Sequence, residues 1–142
     1  MNEAKNGQFG HIYKQFKGQP KKAIRFLKRK KTGECLAVLH RDDIGDIDLV
    51  WGEVTDPEKH KGYGLAHIID KHEQEINQLG FKIEDFVPIV VQFGSINVKK
   101  TDSQKIVFES NGFRFVIAIQ KKPDGSTKQW LLTAFNLTKR PK

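Results

Sequence analysis

The sequence predicts an α+β protein in which N-terminal helices pack on a C-terminal four-stranded antiparallel β-sheet. Three observations lead there. At 142 residues the chain has the size of one domain burying a single core, so it is read as one unit over 1–142. Before residue 95 the clearest apolar patterns recur at helical spacing. After it, short apolar runs are separated by TDSQ, NG and PDGST, and NG and DG are strong hairpin signals.

Taken in order, Gln19 and Pro20 open a short basic helix in which Ala23, Ile24 and Leu27 form the apolar side, and Thr32 and Gly33 stop it. ECLAVLH and DIDLVWG read as strands joined by the turn RDDIG. In the second, Ile47, Leu49 and Trp51 share one face, and Asp46, Asp48 and Val50 the other. A polar loop, EVTDPEKHKGYG, with Pro57, Gly62 and Gly64, leads into the main helix from about Leu65 to Leu79. Leu65, Ile68, Ile69, His72, Ile76 and Leu79 make its apolar stripe, which leaves His67, Lys71 and Gln74 on the margin. IEDFVPIVVQFG carries mixed signals: Asp85 is a candidate helix cap and Pro88 fits only a first turn, whereas the Val-rich remainder suits a strand; helix is the preferred reading. SINVKK, KIVFES, FRFVIAIQKK and KQWLLTAFN complete the sheet as a meander. No internal repeat, low-complexity tract or linker interrupts this order.

Composition narrows the class of partner. The 25 Lys and Arg against 17 Asp and Glu give a net charge of +8, which favours encounter with a polyanion. Lys21, Lys22, Arg25, Lys28, Arg29, Lys30 and Lys31 crowd one stretch, and Lys139, Arg140 and Lys142 the tail; each is either a phosphate contact or a solvated charge. Arg25 and Lys28 are the candidates for substrate contact. No apolar run approaches the ~20 residues of a membrane span. The single cysteine, Cys35, lies in an apolar run and reads as a buried, inert thiol. MNEAKNGQFGHIYKQF lacks the basic and apolar segments of a secretory signal, so export is expected only within a longer parent chain.

Metal and cofactor motifs are missing: no Cys pair, no HExxH, no calcium loop, no P-loop and no dinucleotide fingerprint. His67 and His72, five residues apart, point about 140° from each other on a helix and cannot readily share an ion. His67 and Lys71 lie one turn apart. That pair suits a phosphodiester, because imidazole moves a proton near neutral pH and an ammonium offsets charge on a phosphorane; the alternative is a surface histidine beside a surface lysine. His72, inside the apolar stripe, reads as a core histidine. Without a metal to activate water, cleavage is easiest where the substrate carries its own nucleophile, the RNA 2′-hydroxyl, giving a 2′,3′-cyclic phosphate. Thr133 offers a donor to a non-bridging oxygen or, on a face with Leu131 and Phe135, a core hydroxyl bonded to backbone. Trp51 and Trp130 either stack on a base or pack in the core. Asp46 and Asp48 either orient a histidine or lysine, or are solvated.

DIDLVWG, GYGLAHIIDKH and QWLLTAF, in that order, resemble the signature of a toxin-nuclease family of phage and mobile-element proteins grouped with barnase, EndoU, the tRNA-cleaving colicins and RelE. The resemblance spans roughly Gly33 to Leu137. It implies helices on a four-stranded antiparallel sheet and metal-independent cleavage of RNA, often tRNA, by a domain at the C-terminal end of a larger polypeptide. The matching positions are Trp51, His67, Lys71 and Thr133. Neither a second histidine nor a firmly placed glutamate completes an acid/base pair; a lysine, Tyr63 or the substrate is left for that role. A toxin also implies an acidic immunity partner covering the His67 face, and action in the cytoplasm of a target cell after secretion or phage ejection of the parent chain. The competing reading is a non-catalytic nucleic-acid-binding module of a phage or mobile-element protein.

Overall fold

Pro20 sets the first turn of α1 (Pro20–Lys30), and Lys31 closes it in the left-handed conformation with its N–H donated to the Leu27 carbonyl at 2.7 Å. Lys28, Arg29 and Lys30 in the last turn complement the helix dipole. The computed structural model describes residues 6–7, 9–56, 58–59, 61–110 and 112–137. Pro57, Asn111 and the basic tail residues Lys139, Arg140 and Lys142 lie outside them.

Ten strands and two further helices accompany α1 among the described residues: β1 (Asn6–Gly7), β2 (Gly10–Tyr13), β3 (Glu34–Arg41), β4 (Gly45–Val50), β5 (Glu53–Asp56), β6 (Lys61–Tyr63), α2 (Gly64–Gln78), α3 (Ile83–Phe93), β7 (Ser95–Ile96), β8 (Lys105–Ser110), β9 (Phe113–Lys121) and β10 (Thr127–Asn136). The class is α+β as expected, but the sheet is not the four-stranded antiparallel one. It has eight strands in the order β1-β2-β3-β4-β10-β9-β8-β7, with β2–β3 and β4–β10 parallel, and β5–β6 forms a separate hairpin. The expected meander, β7 to β10, is one half of it. The other half joins because β4 docks on β10 through the pair Asp48–Trp130, and the Gln129 amide donates to the carbonyls of Ile44 and Asp46. Nor are the helices gathered at the N-terminus, since four strands precede the β5–β6 hairpin and α2.

Two smaller expectations also change. The loop read into EVTDPEKHKGYG contains the β5–β6 hairpin. Pro88 sits inside α3 rather than in its first turn, and the helix starts after Lys82 without a side-chain cap from Asp85.

All three helices bury their apolar sides on one face of the sheet. The core runs from Ala23, Ile24 and Leu27 through Leu65, Ile68 and Ile76 to Phe86, Val87 and Val90, against Ile47, Leu49, Phe108, Phe113, Phe115, Ile117, Leu131 and Ala134. Burial of apolar side chains of this size, each worth about 1.5–3 kcal/mol, is the main force holding the layers together. Between Leu131 and Thr133 the β9–β10 register slips, a bulge centred on Leu132. Leu131 and Ala134 therefore face the core, whereas Trp130 and Thr133, paired with Ala118 and Val116, share the opposite face. Thr133 and Leu131 do not share a face, contrary to the alternation read from sequence.

Candidate active site

The start of α2 is pinned to the end of β4. Gly52 and Gly64, at φ 75° and 77°, let the two backbones touch: a Cβ on Gly52 would strike the Tyr63 carbonyl, and one on Gly64 the Trp51 and Val50 carbonyls. The Ala66 N–H then donates to the Trp51 carbonyl at 2.7 Å. From this anchor α2 runs along β10. The Tyr63 ring meets Trp130 at 6.1 Å between centroids, and nine residues later His72 Nε2 bonds to the Ala134 carbonyl at 3.0 Å. Nine helical residues rise about 13.5 Å and four strand residues about 13 Å, so the two elements advance together. His67 is thereby level with the bulge that re-aims Thr133.

His67 is 5% exposed. Sequence had put it on the helix margin, but every residue from Gly64 to Ile68 is buried, because the first turns of α2 are enclosed by β10 on one side and the β5–β6 hairpin on another. His67 and Lys71, four residues apart, lie along one line of the helix, the step turning only about 40°, and the extended residue Tyr63 immediately precedes the helix. Lys71 Nζ sits 5.3 Å from the centre of the Phe135 ring, over the end of β10. His72 is a buried core histidine as expected, with Nδ1 2.8 Å from Glu75 Oε1.

A family model described as phage-Barnase-EndoU-ColicinE5/D-RelE like nuclease1 matches residues 38–141. The chain belongs to this nuclease family. The resemblance drawn from DIDLVWG, GYGLAHIIDKH and QWLLTAF is thus borne out, and the matched range includes Trp51, Tyr63, His67, Lys71 and Thr133 while leaving out Arg25, Lys28 and Glu34. No curated protein and no solved structure matched the chain.

Within this phage nuclease fold the candidate residues fall into separate groups. His67 and Lys71 lie one turn apart on α2 with Tyr63 just before the helix, and Thr133 is on the face of β10 turned away from the core. Trp51 and Lys28 line a cleft of about 610 Å³ with Lys31, Ala66, Ile69 and Asp70. That cleft is centred away from His67, with Ile69 about 160°, Ala66 about 100° and Asp70 about 60° around the helix from it. Lys28 Nζ is bonded to Glu73 at 2.7 Å and Arg25 Nε to Glu84 at 3.2 Å, while Lys21 pairs with Asp85 at 3.0 Å. The basic helix is therefore fastened to α2 and α3 through much of its charge. Arg29 and Lys30 rest over the Phe26 ring.

Sequence reasoning missed a buried charge cluster on the open face. Lys128 is enclosed between Glu34, at 2.5 Å, and Asp48. Asp48 also accepts the N–H of Ala37 at 2.7 Å, where β3 bulges through a left-handed residue. So Asp48 does orient a lysine, and Asp46 a histidine, but these are Lys128 and His40. Hydrogen bonds donated to Asp46 and then Asp42 raise the pKa of the exposed His40, which suits it to a charged surface role. Burial, then Glu34 and Asp48, push the Cys35 thiol up to about 12, which bears out its inert character. Among the described residues no three His, Cys, Asp or Glu side chains are grouped to hold a metal ion, and no helix is long and apolar enough to cross a membrane.

Proposed function

We propose that this nuclease is an endoribonuclease that makes the RNA 2′-hydroxyl its nucleophile. The observation that carries the reading is the pair His67–Lys71 one turn apart on α2, level with the β10 bulge that turns Thr133. In the step, His67 takes the 2′-hydroxyl proton, the 2′-oxygen–phosphorus bond forms, and the phosphorus–5′-oxygen bond breaks. The departing 5′-oxygen takes a proton from Lys71, whose charge also offsets the phosphorane, and Thr133 donates to a non-bridging oxygen. His67 is 5% exposed, so RNA reaches it only when part of its cover moves. At net charge +8 the substrate is drawn in electrostatically, and tRNA is the substrate class we put first. The role we assign is that of a toxin domain within a larger phage or effector protein, held in check by an acidic immunity partner over the His67 face.

A second reading, a nucleic-acid-binding module without catalysis, is favoured by the burial of His67. Matched RNA and DNA oligomers in EDTA separate the two. The ribonuclease cuts the RNA and leaves the DNA, which lacks the 2′-hydroxyl. Steeply salt-dependent binding of both with cleavage of neither, even at high protein concentration, establishes the second reading instead.

A further inference from the structure

The indole N–H of Trp130 is buried and has no acceptor among the described residues, at a residue only 9% exposed. A buried donor left unbonded is costly relative to a bonded one, so its presence calls for an explanation. Its surroundings offer one. The Trp130 ring is packed by Phe9 at 4.7 Å between centroids and by Tyr63 at 6.1 Å, and Phe9 and Tyr63 are themselves 6.1 Å apart. Tyr63 and Trp130 fall inside the family match, whereas Phe9 falls outside it. On the same face, two residues along β10, Lys128 is already neutralised by Glu34 and Asp48, and two carboxylates against one ammonium leave this patch negative. A phosphate is repelled there. A flat, uncharged, aromatic group with an oxygen acceptor is not.

We propose that Tyr63 and Trp130 form a nucleobase subsite that the ring of Phe9 fills in the free protein. The proposal rests on the ribonuclease reading and adds to it how the substrate is seated. A base stacking in place of Phe9 presents an exocyclic carbonyl oxygen to the Trp130 N–H, which suits uracil, cytosine and guanine; adenine offers only ring nitrogens, set back from the ring's rim, and is expected to be disfavoured. Four residues along the chain from Tyr63, His67 then meets the adjoining ribose and phosphate.

The test is binding of 2′-O-methyl oligouridine and oligoadenosine, which carry no free 2′-hydroxyl and are not cut by the proposed chemistry. Trp130→Phe keeps a ring and removes the donor; it is expected to weaken oligouridine binding about 3- to 10-fold and leave oligoadenosine within about twofold. Phe9→Ala removes the competing ring at a half-buried position and is expected to tighten oligouridine binding about 3- to 10-fold. Equal binding by wild type and a Trp130→Phe protein that is folded by circular dichroism overturns the subsite. If that variant does not fold, Phe9→Ala carries the test, and unchanged or weaker binding by it overturns the proposal. Wild-type cleavage of RNA alongside a null result here sinks only the subsite; the expected binding changes in a protein that cuts no RNA sink only the ribonuclease reading.

Discussion

Replacing His67 by alanine is expected to lower RNA cleavage by about 10²–10⁴-fold, the range that a positioned general base or acid contributes. Lys71 and Thr133 remain in place and still bind the phosphate, so the loss falls on the rate of the chemical step rather than on binding. Single-turnover cleavage with saturating enzyme reads that step directly. Because the imidazole is buried in the first turns of α2, its removal also costs stability, and circular dichroism with thermal melting must show a folded protein at the assay temperature. His67→Gln, closer in volume and still able to hydrogen-bond, keeps the packing better and should be as inactive. A folded alanine variant cutting at the wild-type rate removes His67 from the chemistry.

The second large effect concerns Lys128. Its ammonium is the charge between Glu34 and Asp48, and all three side chains are largely withdrawn from water. Lys128→Ala leaves two carboxylates facing each other across β3 and β4. Breaking a buried ion pair from one side costs about 3–5 kcal/mol, a large part of the ~5–15 kcal/mol by which domains are stable. In a chain of this length that corresponds to a fall in Tm on the order of 10 °C or more. Neutralising the partners together with it, in Lys128→Met with Glu34→Gln and Asp48→Asn, should recover much of the loss, because no charge is then stranded. A melt for Lys128→Ala within a degree or two of wild type would show that the cluster holds no buried charge in solution.

The parts of the fold written in local sequence were legible. Helix α2 lies within one residue of its expected bounds, because its apolar stripe has the right period and Gly64 marks the start. The β7–β10 half of the sheet followed from alternation and turn residues. What joins the halves was not legible, since it depends on Trp130 meeting Asp48 and on Lys128 meeting Glu34, residues far apart in the chain whose charges read locally as solvated. Burial of His67 was missed for a related reason. A helical stripe reports the side facing the core, whereas α2 also packs against β10 and the β5–β6 hairpin, and the hairpin itself was read as loop. The spacing of His67 and Lys71 was visible throughout; that Thr133 faces away from Leu131 required the bulge at Leu132.

The central claim is that a 2′-hydroxyl, not water, attacks the phosphorus. Incubating the purified chain with total tRNA in EDTA and determining the chemistry of the new ends tests it most directly. The expected result is discrete cuts bearing a 2′,3′-cyclic phosphate on one side and a 5′-hydroxyl on the other. Ends carrying a 3′-hydroxyl and a 5′-phosphate would contradict it, as would cleavage that appears only when a divalent metal is restored.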